Sequence, residues 1–367
     1  MRNTNLLLPT AVLLVLSYAT LSCQSSGSGE ANTEEATEAS ADSVTEKQFL
    51  TAPLVSHIYT ADPSAHVFND TLYVYPSHDV ESGIAADDLG SQFDMQDYHV
   101  FSMAEVGDNV TDHGAALSVD DVLWAERQMW APDAAYRNGT YYLYFPAKDE
   151  ENIFRIGVAT SSAPTGPFAP QDEPIEGSFS IDPAVFEDTD GAYYMYFGGI
   201  WGGQLQRWES GEYVAVDEYP ADDQPAISAK VARLADDMLS FDEKPKDVVI
   251  LDENGEPLVA GDNERRFFEA AWVHKYQGTY YFSYSTGDTH YIAYATGDNP
   301  YGPFTYQGVV LNPVLGWTNH HSVVKFNEKW YLFYHDTELS DGQTHLRNIK
   351  VTELTHRPDG SIETITP

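Results

Sequence analysis

The sequence predicts an all-β protein built as a single five-bladed β-propeller. Five segments share one pattern, a short apolar strand, a tight turn and an aromatic strand, and their turns recur about every 64 residues. Regular repeats of this kind are typical of propellers and solenoids, and this length suits one four-stranded blade with long loops. Little of the chain shows the apolar period of a long amphipathic helix. A two-sheet β-sandwich is the alternative architecture.

Each blade is recognised by its hairpin. Asn-Asp, Asn-Gly, Asp-Gly and Gln-Gly pairs between aromatic and β-branched runs favour hairpin turns. In chain order the segments are HVFNDTLYVYPS from His66, AAYRNGTYYLYFP from Ala134, AVFEDTDGAYYMYFG from Ala184, WVHKYQGTYYFSYS from Trp272 and VVKFNEKWYLFYH from Val323. A weaker repeat supports the blades, because residues 156–168 and 292–304 each join a strand to a Pro/Gly turn after the second and fourth hairpins.

The N-terminus has the features of an export signal. Arg2 precedes an apolar run from Leu6 to Leu16, and small residues then lead to Cys23, the only cysteine. We interpret residues 1–22 as a lipoprotein-type signal peptide with Cys23 lipidated, an ordinary cleaved signal being the alternative. Residues 23–47, rich in Ser and Glu, are predicted to be a disordered acidic tether, and 48–367 the propeller. The expected location is the periplasm or cell surface of a bacterium, on a membrane anchor.

The charge of the chain excludes several partners. It carries 57 acidic and 19 basic residues, a formal net charge of −38, and residues 48–367 alone hold 51 acidic against 17 basic residues. This excess argues against nucleic acid and against anionic membrane surfaces, which bind Lys and Arg. We therefore expect a neutral glycan as partner and a membrane contact only through the lipid anchor. The sequence leaves the oligomeric state open.

The repeat places chemically active residues at matched positions. Seven or eight residues before the hairpin turns stand Asp62, Trp130, Asp182, Glu269 and His320, one in each blade. Equivalent positions in a propeller converge on the central axis, so three carboxylates and one histidine are expected around one pocket. For any single Asp, capping of a turn is the alternative role. Three acids in register across the repeat favour a catalytic site.

Crowded carboxylates in a partly apolar pocket suit the hydrolysis of glycosidic bonds. Glu269 follows two phenylalanines, a setting that raises the pKa of a carboxyl group and suits a general acid. Asp62, beside Pro63 and Ser64, is the better general base. Asp182 is the third carboxylate, which would tune the pKa of the acid and orient it. This chemistry requires no cofactor.

Two further sets of residues are candidates for binding. His320 could hold a cation at the axis, directly or through water, and oxygen-rich surroundings would favour a structural Ca²⁺; a satisfied polar residue is the alternative. Trp130, Trp201 and Trp317 lie in Gly/Pro-rich loops and are candidate platforms for the apolar faces of sugar rings. Packing at blade edges is the alternative role for each tryptophan.

The chain resembles glycoside hydrolase family 43 from about Leu54 onwards. The motifs that carry the resemblance are, in order, Ala61-Asp62-Pro63-Ser64, Met129-Trp130-Ala131-Pro132-Asp133, Ser180-Ile181-Asp182-Pro183-Ala184, Phe268-Glu269-Ala270 and His320-His321-Ser322. The resemblance implies a five-bladed propeller and inverting hydrolysis, commonly of α-L-arabinofuranosides and β-D-xylosides. It implies Asp62 as general base, Asp182 as pKa modulator, Glu269 as general acid, and His320 near a central calcium or water site.

The functional hypothesis is an exo-acting inverting glycosidase on side chains of plant or algal polysaccharides or on oligosaccharides. We expect an α-L-arabinofuranosidase, with a β-xylosidase or a galactofuranosidase of the same family as the alternative. A non-catalytic, surface glycan-binding propeller lipoprotein is the alternative from a different class.

Overall fold

A computed structural model describes residues 52–317 and 319–367, which form an all-β molecule of five sheets. The five-bladed β-propeller predicted from the repeat is confirmed. The predicted signal peptide 1–22, the lipidation of Cys23, the tether 23–47 and the domain start at residue 48 lie outside the described residues. Within those residues, no helix has the length and apolar character needed to cross a membrane.

The strands follow one another blade by blade along the chain. Blade I contains β1 (Tyr59–Phe68), β2 (Thr71–Asp79), β3 (Asp97–Met103) and β4 (Thr111–Ser118). Blade II contains β5 (Asp133–Arg137), β6 (Thr140–Lys148), β7 (Phe154–Ser161) and β8 (Ala169–Pro170). Blade III contains β9 (Ala184–Glu187), β10 (Tyr193–Phe197), β11 (Lys230–Arg233) and β12 (Lys246–Asp247).

The last two blades depart from the predicted four strands. Blade IV contains β13 (Ile250–Leu251), β14 (Glu269–Tyr276), β15 (Thr279–Ser285), β16 (Ile292–Gly297) and β17 (Phe304–Leu311), with β13 parallel to β17. Blade V contains β18 (His321–Phe326), β19 (Lys329–Asp336) and β20 (Asn348–Leu354). Four 3₁₀ helices complete the described structure, at Val119–Asp121, Trp201–Gly203, Leu205–Arg207 and Glu338–Ser340.

The blades form a closed ring. The innermost strands contact one another in the order β1, β5, β9, β14 and β18, and β18 returns to β1. The segment before β1 completes blade V, because the Leu54 amide donates to the Ile349 carbonyl at 2.7 Å. Blade V therefore borrows its outer partner from the start of the domain, which explains why its own sheet has only three strands.

The predicted hairpin turns are present, and their positive φ angles explain which residues occupy them. Asn138 and Gly139 have φ values of +52° and +90°, and Asn327 and Glu328 have +48° and +63°. Two central residues with positive φ are characteristic of a type I′ turn, whose twist matches that of the flanking strands. Asn and Gly tolerate this conformation best, which is why the turn signal is visible in the sequence.

The aromatic strands fill the spaces between blades. One apolar cluster joins blades I and II around Tyr75, Tyr98 and Phe145, all fully buried. Another joins blades V and I around Leu72 and Phe333, across the seam where the ring closes. Burial of each such side chain stabilises the fold by about 1.5–3 kcal/mol. These contacts fix the blades around the axis at which the candidate residues meet.

Local backbone irregularities aim the candidate acids into the axis. The register of β1 against β2 shifts between Ala61 and Ser64, and that of β14 against β15 shifts after Glu269. Asp62 and Asp182 both have positive φ, at +50° and +57°. Such bulges re-aim side chains, and strained conformations are concentrated at functional sites. Asp62 thus lies inside a bulged strand.

Candidate active site

One pocket opens at the end of the propeller axis and collects the residues predicted from the repeat. The empty space of this pocket, including its open mouth, is about 930 Å³. All seven predicted site residues of the propeller line it, namely Asp62, Trp130, Asp182, Trp201, Glu269, Trp317 and His320. Every blade therefore contributes residues to the wall of the pocket.

Asp62 is buried and surrounded by hydrogen-bond donors. Its Oδ1 accepts a hydrogen bond from Nη1 of Arg347 at 3.0 Å, and its Oδ2 accepts one from Oγ of Ser77 at 2.5 Å. Burial alone would raise its pKa, but Arg347, His335, His320 and Ser77 together lower the pKa of Asp62 to about 2. This carboxylate is ionised at neutral pH and can accept a proton.

Arg347 is a functional residue that the sequence analysis missed. It is 3% exposed, and its Nε and Nη2 atoms donate to the two oxygens of Asp79 at 2.8 and 2.7 Å. Burial would lower the pKa of its guanidinium, but Asp62 and Asp79 raise it, so the group stays charged. Arg347 just precedes β20, outside the hairpin repeat, so no periodic signal marks it. Ser77 and Asp79 lie on the same face of β2. The alternation of side chains along this strand is the only sequence pattern that could have indicated them as site residues.

Asp182 and Glu269 form a pair that retains one proton. Oδ2 of Asp182 accepts a hydrogen bond from the Ala270 amide at 2.9 Å. Burial, followed by the negative charge of Asp62, raises the pKa of Asp182 above its ordinary value. Burial and the charges of Asp182 and Asp62 raise the pKa of Glu269 well above its ordinary value. Since the two groups interact, they titrate as one pair that keeps a proton at neutral pH.

The surroundings of Glu269 explain its poor solvation. Phe268 is 1% exposed, and its ring packs edge-on against Trp201 at 5.2 Å and against Trp317 at 5.8 Å between centroids. Gly287 makes room for this ring, because a Cβ atom there would lie 2.2 Å from Cδ2 of Phe268. The apolar wall withholds the water that would stabilise an ionised Glu269.

The three tryptophans differ in how they contribute to the wall. Trp201 and Trp317 stack on each other, with ring centroids 5.3 Å apart and an interplanar angle of 23°. Trp130 is held in place, since its Nε1 donates to the Phe93 carbonyl at 2.7 Å. A Cβ at Gly90 would lie 2.8 Å from the Trp130 ring, so this tryptophan also packs against a loop of blade I. Trp130 therefore combines the lining role with the edge-packing role.

His320 lies beside the carboxylates without a hydrogen-bond partner. Its side chain is buried, its Nε2 is 3.8 Å from Oδ2 of Asp182, and neither ring nitrogen is hydrogen-bonded to any described residue. Burial lowers the pKa of His320, with Asp62 opposing this, so the imidazole is neutral at pH 7. An unpartnered buried imidazole implies that solvent, a cation or a substrate hydroxyl completes this site.

Comparison with known proteins agrees with the geometry. The family model of Glycosyl hydrolases family 43 matches residues 51–362. Xylosidase/arabinosidase 43A of Humicola insolens is 59% identical over 325 residues, which cover 86% of this chain and 99% of the relative. The Beta-xylosidase of Xylanibacter ruminicola is 50% identical, over 84% of this chain and 97% of the relative.

A solved structure is also similar over nearly its whole length. It is CoXyl43, a GH43 beta-xylosidase/alpha-arabinofuranosidase from a compost microbial metagenome, in complex with xylotriose and in a calcium-free form. Its sequence is 67% identical, its TM-score is 0.85, and the match covers 86% of this chain and 97% of that one. The family resemblance predicted from five motifs is confirmed.

The raised pKa of Glu269 predicts a cost in stability that depends on pH. A carboxyl group whose pKa is raised in the folded state loses stabilisation as pH rises above its unfolded value of about 4.3. Glu269→Gln removes this titration, so its melting temperature should equal that of the wild type near pH 4.5. At pH 8 it should exceed the wild type by roughly 2 °C.

Calorimetry at both pH values measures this difference. The control is Glu328→Gln, the same chemical change at a side chain that is 92% exposed, which should give no pH-dependent gain. A gain for Glu269→Gln that is equal at pH 4.5 and pH 8 would contradict the assignment of a raised pKa.

Proposed function

Because the chain belongs to glycoside hydrolase family 43, we propose that this glycoside hydrolase is an inverting, exo-acting β-D-xylosidase that also accepts α-L-arabinofuranosides. The observation that carries the proposal is the division of charge in one pocket. Asp62 is ionised, whereas the interacting pair of Asp182 and Glu269 keeps one proton between the two groups. Inverting hydrolysis needs one carboxylate as base and one carboxylic acid as proton donor.

The proposed chemistry assigns one role to each acid. Glu269 donates its proton to the glycosidic oxygen while the bond from that oxygen to the anomeric carbon breaks. Water attacks the same carbon from the opposite face, and Asp62 takes the proton that this water loses. Asp182 keeps the pKa of Glu269 high through its charge. The product sugar leaves with inverted configuration, and solvent exchange returns the proton from Asp62 to Glu269.

Arg347 and Ser77 would serve the base as positioning residues. They bind opposite oxygens of Asp62, so they fix the plane of the carboxylate and keep it ionised. A weakly basic carboxylate with a pKa of about 2 must gain basicity when substrate displaces water from the pocket. Asp79 in turn holds Arg347 with two hydrogen bonds.

The proposed substrate rests on the walls of the pocket and on the names of the related proteins. Walls from all five blades favour recognition of a terminal sugar, which supports exo action. Trp201 and Trp317 form a stacked apolar surface suited to a pyranose or furanose face. The relatives are named xylosidase/arabinosidase and beta-xylosidase, so they favour the β-xylosidase alternative over L-arabinofuranose as the main substrate. A purely binding propeller is not favoured by any of these names.

A panel of chromogenic glycosides tests the function directly. We expect the highest kcat/KM on 4-nitrophenyl β-D-xylopyranoside, lower turnover of the α-L-arabinofuranoside, and least of the β-D-galactofuranoside. Glu269→Gln, purified identically, is the matched control for contaminating enzymes and should lose about 10²–10⁴-fold on unactivated xylobiose. Proton NMR should show α-xylose as the first product. Retention of configuration, or preference for the galactofuranoside, would refute the proposal.

The proposed role of Asp182 predicts a shift in the pH profile. Asp182→Asn removes a negative charge beside Glu269, so the pKa of Glu269 should fall and the alkaline limb of kcat/KM should move about one unit lower. Asp190→Asn, in the exposed hairpin turn of blade III, is the control and should leave the profile unchanged. A lower rate with an unmoved alkaline limb would contradict the modulating role.

We also propose that His320 helps to hold a hydrated Ca²⁺ at the axis. The residues fit such an ion only in part, because His320 offers an unpartnered nitrogen while Asp62 and Asp133 are committed to protein donors. The ion would therefore keep most of its waters as ligands, which Ca²⁺ tolerates. Titration with CaCl₂ should raise the melting temperature of the wild type and not that of His320→Gln. Equal shifts in both proteins would count against this site.

The export of the protein is a proposal that depends on residues 1–47 alone. The apolar run and Cys23 support a lipoprotein anchored in a bacterial membrane, which would place the propeller where glycans arrive. Mass spectrometry of the N-terminal peptide from the membrane fraction tests it. Diacylated Cys23 supports the anchor, and an unmodified Met1 would refute it.

A further inference from the structure

We propose that His78, Asp97 and His99 form a binding site for a divalent transition-metal ion of the Zn²⁺ type in blade I. Each side chain offers one ligand atom, and these atoms all lie within 4.8 Å of one another. Two imidazoles and one carboxylate, completed by water, form a common ligand set for zinc. In the part of the chain that the structure describes, no other group of His, Cys, Asp and Glu has this spacing.

The strand geometry brings the three ligands together. Asp97 and His99 are two residues apart in β3, so their side chains lie on the same face of the sheet. His78 comes from the end of the adjacent strand β2, and its Nδ1 is 2.6 Å from Oδ1 of Asp97. The rings of His78 and His99 contact each other edge to face, with centroids 4.8 Å apart.

A second layer of hydrogen bonds orients one of the ligands. Nδ1 of His99 lies 2.9 Å from Oδ1 of Asp112, which leaves Nε2 to bind an ion. Asp112 is itself fixed, because its Oδ1 accepts a hydrogen bond from the Gly114 amide at 2.8 Å and its Oδ2 lies 2.7 Å from Nε2 of His57. Metal-binding histidines characteristically donate a hydrogen bond from their other ring N–H to a carboxylate in this way.

Only small movements are needed to accept the ion. Zinc bonds of about 2.0–2.1 Å in a tetrahedral site place ligand atoms roughly 3.3 Å apart. The His78–Asp97 pair would open from 2.6 Å, and the wider separations would close from at most 4.8 Å. The ion would replace the proton shared by this pair, and that proton would pass to solvent. Side-chain exposures of 19% for His78, 25% for Asp97 and 14% for His99 leave a path for entry.

Two adjacent His–Asp ion pairs without metal are the alternative explanation. Ion pairing alone accounts for the contact of each imidazole with its own carboxylate, whereas a shared ion would use ligand atoms from all three side chains. The acidic chain, with a net charge of −38, also raises the local concentration of cations.

The proposed zinc site would stabilise the contact between blades I and V, where the ring closes. His57 precedes β1 in the segment that pairs with blade V, and Asp112 links it to the proposed ligands. His78 lies between two residues of β2 that hold the active site, Ser77 and Asp79. Occupancy would therefore stabilise blade I and the position of the base without contact to the substrate pocket.

Zinc binding to the untagged full-length protein tests the proposal. Protein stripped with EDTA and dialysed is titrated with ZnCl₂ by calorimetry, and thermal melting is followed with and without zinc. We expect one ion per chain with a Kd in the micromolar range or below, and a melting temperature raised by at least 3 °C, from the linkage of binding to stability. His99→Gln and Asp97→Asn should each weaken binding at least tenfold.

Two control variants separate this site from others. His113→Gln changes an exposed histidine of β4 whose Nε2 lies 2.8 Å from Oγ of Ser102, and His320→Gln changes the histidine at the propeller axis. Both variants should bind zinc as the wild type does. Melting in EDTA checks that each variant is folded, and the Co²⁺ absorption spectrum of the wild type gives the ligand geometry independently of any variant. No binding by the wild type at 100 µM zinc would overturn the proposal. Equal loss in His320→Gln and His99→Gln would also overturn it.

Discussion

The buried Arg347 guanidinium is the interaction on which the site depends. It is one cation surrounded by carboxylates, and it binds Asp62 and Asp79 directly. The charge of Arg347 also lowers the pKa of Asp182 and Glu269, but burial and the neighbouring negative charges outweigh it. One positive charge cannot compensate four neighbouring negative charges that are largely removed from water, because each uncompensated charge is costly there. Asp62 and Asp79 are therefore ionised beside the arginine, and the pair of Asp182 and Glu269 shares one proton.

This division of charge depends on closure of the propeller. Asp62 is in blade I and Arg347 precedes the last strand of blade V, so their ion pair crosses the seam between the ends of the chain. The same seam is held by an apolar cluster and by backbone hydrogen bonds to the segment before β1. Loosening the seam would move the Asp62 carboxylate away from its cation. Fold stability and the ionisation of Asp62 are thus linked through one interface.

The site also stores strain that the surrounding blades compensate. Asp62 and Asp182 have left-handed backbone conformations, and Ala270 beside Glu269 has a φ of +60°. Non-glycine residues in this region cost of order 1–3 kcal/mol each. The aromatic packing between blades, which buries many tyrosine and phenylalanine rings, supplies the rigidity that keeps these conformations. The irregular backbone therefore lies where it orients a carboxylate into the pocket, and the regular strands around it hold that backbone in place.

The sequence by itself determined the fold and the residues that converge on the axis. Turn residues such as Asn138 and Gly139 are visible because few residues accept positive φ, and the acids are visible because they recur at one distance from those turns. The sequence did not indicate Arg347, Ser77 and Asp79, because these residues do not recur at a fixed distance from the hairpin turns. Only closure of the ring brings Arg347 to Asp62, 285 residues away. The sequence also could not decide protonation. Burial and neighbouring charge set the pKa values of Asp62 and Glu269 in opposite directions, and both depend on distances that exist only in the folded molecule.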